Sequence, residues 1–324
     1  MICVLSTPAN ALVISAGFGS SITGSVNAAA IEADINTALS DISALFSNSS
    51  SATILFETGS GGFLGSTSSA QYFAAYGDYV GQLSADSAAN PANTVLATAL
   101  AHLSSGNDAA GTTLVGASSA LLRALGFAGA TPCYNGVGTF VAGCNQTYDA
   151  VITLSSNNPI DYTRPLSGGS YDGLRIIEHE VDEVLGGGGQ GSTLNSQTTT
   201  CGTLSPSAYG PLDLYRYAAP GTPSYTTCSS ASSYLSVDGG LTSIVSFNQN
   251  AGGDFGDFAD GADVQSAFTN PNQTADISPS TPEYQMLEAI GYDPVPEPGS
   301  LALIGTALIG LHLIRRGRRR NQSM

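Results

Sequence analysis

Residues 171–189 read YDGLRIIEHEVDEVLGGGG, and the fold class turns on this stretch. Leu174, Ile177, Val181, Val184 and Leu185 recur at helical spacing, Asp172 stands at the N-cap position, and the glycines from Gly186 end the helix. Four residues apart, His179 and Glu183 project from one face about one turn apart. Glu180 lies about 100° round the helix from His179, away from the apolar stripe. A cation held by His179 and Glu183 therefore has the Glu180 carboxylate within reach of a water in its open position. This is the arrangement of the His-Glu-x-x-His zinc helix, with Glu183 replacing the second imidazole as a harder, more anionic ligand. It points to metal-assisted hydrolysis, in which Glu180 takes a proton from water acidified by Zn2+ and hands it to the leaving amine. The competing reading makes Glu178, Glu180, Asp182 and Glu183 a solvated acidic helix face.

A third ligand is required, and the longer zinc pattern that places one six residues beyond Glu183 is closed by Gly189. Asp213, in the run PLDLY, is the expected third ligand, at the start of a strand returning to the cleft. Tyr215 or Tyr217 would steady an oxyanion. The alternative for Asp213 is an ion pair with Arg216 or a turn cap. Asp254, Asp257, Asp260 and Asp263 recur every third residue among glycines; Ca2+ binding is one reading, and turn chemistry is the favoured one. The chain has three histidines: besides His179 these are His102, expected as a partly buried helix residue, and His312 in the C-terminal tail. That scarcity argues against a Ser-His-Asp hydrolase.

Outward from the motif, helical spacing marks residues 28–46, 94–103 and 114–125, while 53–56 and 150–154 read as short strands. Strand 151–154 is expected as the edge on which an extended substrate pairs. Beyond Thr193 the pattern turns to short β segments at 212–217, 234–237 and 244–247, and a last helix spans 282–290. The fold class is α+β, with helices in the first half and an irregular β-rich second half. Removing Cys3 with a signal peptide leaves four cysteines. Cys133 and Cys144 flank one turn and Cys201 and Cys228 one loop, so two local disulfides are the natural pairing of an oxidising compartment.

Both ends carry sorting information. Residues 1–11, MICVLSTPANA, end in the small-x-small pattern of a signal-peptidase site and read as the remnant of a signal peptide, with the mature domain at 12–294. The tail, 295–324, holds Pro296, Glu297 and Pro298, an apolar segment at about 299–314 expected as a transmembrane helix, and an Arg-rich end at 315–320. Some 16 apolar residues cover roughly 24 Å of a hydrocarbon core of about 30 Å, and the arginines can snorkel to the cytoplasmic side. Without the tail the chain has four Arg, no Lys, and 24 Asp and Glu, a net charge of −20 that repels nucleic acid and anionic membrane.

The tail resembles the PEP-CTERM sorting signal of exported bacterial proteins. That resemblance implies an inner-membrane intermediate, removal of the tail by an exosortase, and delivery to the cell surface or the exopolysaccharide matrix. A second resemblance rests on EHEVDEVLG at 178–186, LDLYRY at 212–217, LSVDGG at 235–240 and GGDFGD at 252–257. These are similar to the motifs of PEP-CTERM-sorted metalloproteases with an E-H-E-x-x-E helix, and the similarity extends over most of 12–293. It implies a zincin-like fold with His179, Glu180 and Glu183 at the active site. The expectation is an exported zinc-dependent endopeptidase acting on polypeptide; the alternative is a non-catalytic matrix or adhesion protein with a degenerate metal site.

Overall fold

The computed structural model describes residues 11–103, 114–196, 201 and 208–296. Residues up to Pro294 form one compact unit; a second begins at Val295, of which only Val295 and Pro296 are described. The expected signal remnant 1–10, the transmembrane segment and the basic end lie outside the described residues. The architecture is mixed α+β.

The first half is built on a four-stranded sheet. Strand β1 (Val13–Phe18) is followed by a single helical turn, α1 (Ser20–Thr23), and by α2 (Ala28–Leu45), which carries the chain back to a parallel neighbour, β2 (Ser51–Gly59). A parallel pair needs such a crossover. α2 has the sequence to supply it, because Ile31, Ile35, Ala38, Leu39 and Ile42 bury one stripe. The edge strand β3 (Gly65–Ser69) comes next, then β4 (Gln71–Ala75), which belongs to a second sheet, and helices α3 (Tyr76–Ala89) and α4 (Thr94–His102). Strand β5 (Leu114–Ser118) pairs antiparallel with β4 and leads into α5 (Ser119–Ala124). The chain then enters β6 (Ala150–Ser155), parallel to β2 and antiparallel to β3, which gives the order β1-β2-β6-β3. Ile54 and Phe56 of β2 face the main core, while Leu55 on the other face packs with Val151, Tyr134 and Cys133, so this central strand is covered on both sides.

In the second half, β7 (Ile160–Asp161) and β8 (Tyr171–Asp172) form a short parallel pair ahead of the motif helix α6 (Gly173–Val184). A sheet of very short strands follows: β9 (Arg216–Ala219), β10 (Thr222–Pro223), β11 (Tyr234–Leu235) and β12 (Val245–Ser246), in the order β10-β9-β11-β12. Helix α7 (Pro282–Ile290) closes the unit. α6 packs on α2 and runs beside β3.

Three expectations are corrected here. Residues 114–125 are not one helix: Leu114–Ser118 pairs with β4, and the Ser118 hydroxyl caps Leu121 N–H, so the helix starts only at Ser119. Residues 212–217 are not one strand, because Leu212–Tyr215 forms a 3-10 turn and the strand begins at Arg216. Strand 151–154 is not an edge; β6 is interior and β3 takes the edge position. Both expected disulfides are present, Cys133–Cys144 and Cys201–Cys228.

Candidate metal centre

The motif helix is not a solvated acidic face, since Glu178, Glu180, Asp182 and Glu183 are all buried. Asp172 stands at its N-cap position, but its carboxylate is held by Arg164 and makes no cap hydrogen bond. Helical spacing brings His179 and Glu183 together as expected, with Nε2 of His179 4.0 Å from Oε1 of Glu183. The His179 ring is oriented from the far side, where Nδ1–H donates to the Val264 carbonyl at 3.0 Å. This tautomer leaves Nε2 unprotonated, its lone pair able to accept a hydrogen bond or bind a cation.

The third donor is Asp257, whose Oδ2 lies 3.7 Å from His179 Nε2. One ligand atom from each of His179, Glu183 and Asp257 falls within 4.8 Å of the others. Glycines make this approach possible. A Cβ on Gly256 would stand 2.1 Å from the Gly188 carbonyl oxygen, and one on Gly189 would meet Asp254 Oδ2 at 2.3 Å and Glu183 Oε1 at 2.5 Å. The run that ends α6 is thus also the surface on which the 252–257 loop closes. Gly189 N–H donates to Glu183 Oε1 at 3.0 Å and fixes that carboxylate.

Asp213 does not join the group. Its carboxylate accepts from Ser192 Oγ, Thr193 N–H, Thr193 Oγ1 and Gly210 N–H, so it ties two loops together. Neither tyrosine reaches the cleft: Tyr215 donates its hydroxyl to the Ala289 carbonyl, and Tyr217 borders a separate depression with His102 and Asp238. His102 is exposed at the end of α4 rather than partly buried. Among the four spaced aspartates, Asp254 and Asp257 line the cleft, while Asp260 accepts from Ala262 N–H and Ser266 Oγ in a turn. Asp257 follows Gly256 in the run GDFGD, and Gly256 is the residue that packs against Gly188 and Gly189 after the helix.

The cleft has a volume of about 410 Å³ and runs between β3 and the 252–257 loop, with His179, Glu180 and Glu183 on its floor. Glu180 is held by Thr67, whose hydroxyl donates to Oε2 at 2.6 Å. Gly65 makes room for it, because a Cβ there would lie 2.4 Å from Glu180 Oε1. Burial pushes the Glu180 carboxyl up to about 7, with Asp257 and Asp254 adding to the rise and His179 opposing it. Burial, then the neighbouring carboxylates, raises Glu183 and Asp257 well above the ordinary range as well. Among the described residues their only ion-pair partner is His179. One unprotonated imidazole nitrogen and two carboxylates short of positive charge are a donor set that fits a divalent cation.

Residues 294–320 match the PEP-CTERM protein-sorting motif. The chain is an exported bacterial protein sorted by exosortase. No curated protein and no solved structure gives a match. Among the described residues no helix is long and apolar enough to cross a membrane.

Proposed function

We propose that the protein is an exported zinc-dependent endopeptidase of the cell surface or exopolysaccharide matrix, with a zincin-like catalytic domain. The observation that carries this reading is the convergence of His179, Glu183 and Asp257 beside Glu180 in one cleft bordered by a sheet edge. A single imidazole with two carboxylates is closer to the mixed N/O donor sets of zinc than to the six to eight oxygens taken by Ca2+. When bound, the cation supplies Lewis acidity to a water and to the scissile carbonyl.

The rest of the chemistry falls to the chain. Glu180, poised near neutral pH and oriented by Thr67, takes the proton of the attacking water and returns it to the departing amine. β3 offers backbone groups at the sheet edge along the cleft, a suitable surface for an extended polypeptide. Burial of Glu180, Glu183 and Asp257 on the floor of the cleft keeps the local dielectric low around these charges.

The deciding experiment measures bound metal and casein cleavage for the exported chain and for Glu180→Gln. The expected result is one equivalent of zinc in both, with cleavage reduced about 10²- to 10⁴-fold in the variant. No stoichiometric metal in the wild type, or equal cleavage by Glu180→Gln, sinks the peptidase reading. Bound metal without any cleavage by the wild type selects the non-catalytic matrix protein.

A further inference from the structure

Gln265 follows the residue whose carbonyl orients His179, and its side chain is fully buried. Its backbone is pinned on both sides, N–H to Glu283 Oε1 at 2.8 Å and C=O from Phe258 N–H at 2.8 Å. The side-chain nitrogen Nε2 lies 2.9 Å from Asp257 Oδ1 and 3.2 Å from His179 Nε2. With two N–H groups it donates to both. The amide oxygen Oε1, in contrast, is buried without a partner. Gly188 leaves the space, since a Cβ there would stand 2.0 Å from Gln265 Nε2.

A cation held by His179 competes with this NH2 for the Nε2 lone pair, while Asp257 turns Oδ2 to the cation and Oδ1 to the amide. An amide nitrogen has no lone pair to give a metal, whereas an amide oxygen is a good ligand for a borderline or hard cation. The amide is planar, and its two ends are nearly the same size. A half-turn about the Cγ–Cδ bond therefore exchanges Oε1 and Nε2 without moving the buried stem. The oxygen then stands about 3 Å from His179 Nε2 and from Asp257 Oδ1. Neighbouring ligands of tetrahedral zinc, with bonds of roughly 2.0–2.2 Å, are separated by about 3.3–3.6 Å, close to the distance of this oxygen from His179 Nε2.

We infer that Gln265 is a fourth protein ligand of the metal centre, turning its amide to present Oε1 alongside His179, Glu183 and Asp257. The inference rests on the metal reading of the preceding section. It makes the resting site a closed set of one nitrogen and three oxygens, whereas catalytic zinc sites keep a position open. Gln265 is then the ligand that substrate or water must displace or join.

The test is zinc affinity by competition with a chromophoric chelator, together with the visible spectrum of the Co2+ form, for wild type, Gln265→Ala and Gln265→Glu. A ligand role predicts roughly 10- to 100-fold weaker zinc binding for Gln265→Ala and a changed Co2+ spectrum. Gln265→Glu, which offers oxygen in either rotation and keeps the side-chain shape, retains or tightens binding. Equal or tighter binding by Gln265→Ala makes the amide a competitor and overturns the inference, as does weakened binding by a folded Gln265→Glu. Absence of zinc binding by the wild type is a different failure, because it removes the metal reading itself.

Discussion

Gly65 leaves a place for the Glu180 carboxylate, and its replacement tests the site without touching a metal ligand. In Gly65→Ala the new methyl carbon arrives 2.4 Å from Oε1 of a side chain already held by Thr67, so the carboxylate must shift. Misplacement of a catalytic group by about 1 Å costs roughly 10²-fold, and kcat for casein cleavage should fall by about that factor while zinc content stays at wild-type level. Loss of metal in this variant, or full activity, contradicts the placement of Glu180. Thr67→Val should act in the same direction by about tenfold, through loss of the orienting hydrogen bond. The residues on α6 were legible in the sequence because His179, Glu180 and Glu183 are related by helical geometry alone. Asp257 was not, because its position depends on a distant loop packing against glycines 188 and 189. Asp213 misled for the complementary reason: an acid in an apolar run looks functional, but its oxygens are consumed by the Ser192, Thr193 and Gly210 donors.

Between elements, Asn93 joins α4 to α7. Its Oδ1 caps α4 by accepting from Leu96 N–H at 2.9 Å, and its Nδ2 donates to the Glu288 and Tyr292 carbonyls at 3.2 and 3.1 Å, at the end of α7. The Glu288 carbonyl also accepts from Gly291 N–H, whereas the Tyr292 carbonyl, just past the helix, has Asn93 as its donor. Asn93→Ala removes the cap and strands the Tyr292 carbonyl, for an expected loss of about 2–4 kcal/mol, read from the urea midpoint at unchanged m-value. Asn93→Asp keeps the cap and loses the donors, so it should fall between the two. Sequence patterning located such helices well: α2, α4 and α7 carry apolar stripes and clear stops, with Pro282 at the start of α7 and Gly291 after it in the left-handed region. It failed where pairing partners decide. Leu114, Ala117, Leu121 and Leu125 have helical spacing, yet β4 claims the first part as a strand. β11 and β12 fall within the expected segments 234–237 and 244–247, whereas the two-residue β10 is too short for any alternation to register.

For the whole molecule, a charge of −20 without the tail leaves buried acids with few cations to pair with. Burial raises Asp293 and Glu288 to about 7 and Asp34 to about 6, against ordinary values of 3.8 for aspartate and 4.5 for glutamate. Oδ2 of Asp86 and Oδ1 of Asp293 are buried without a hydrogen-bond donor, and the two neighbouring carboxyls favour a proton shared between them over two charges. In the window from about 4 to 7 the folded chain retains protons that the unfolded chain has lost. Stability therefore declines as pH rises through that window, and what protonation contributes below about 4 is gone above about 7. A thermal melting series from pH 5 to pH 8 should show a falling Tm. Asp293→Asn, which supplies the bridging N–H at every pH, should flatten the decline and recover on the order of 1–2 kcal/mol at pH 8. Added salt should narrow the gap between pH 5 and pH 8 only in part, because screening reaches surface repulsion but not a buried pair. A Tm that rises from pH 5 to pH 8, or an Asp293→Asn profile parallel to the wild type, would show that the Asp86–Asp293 proton does not govern the pH response.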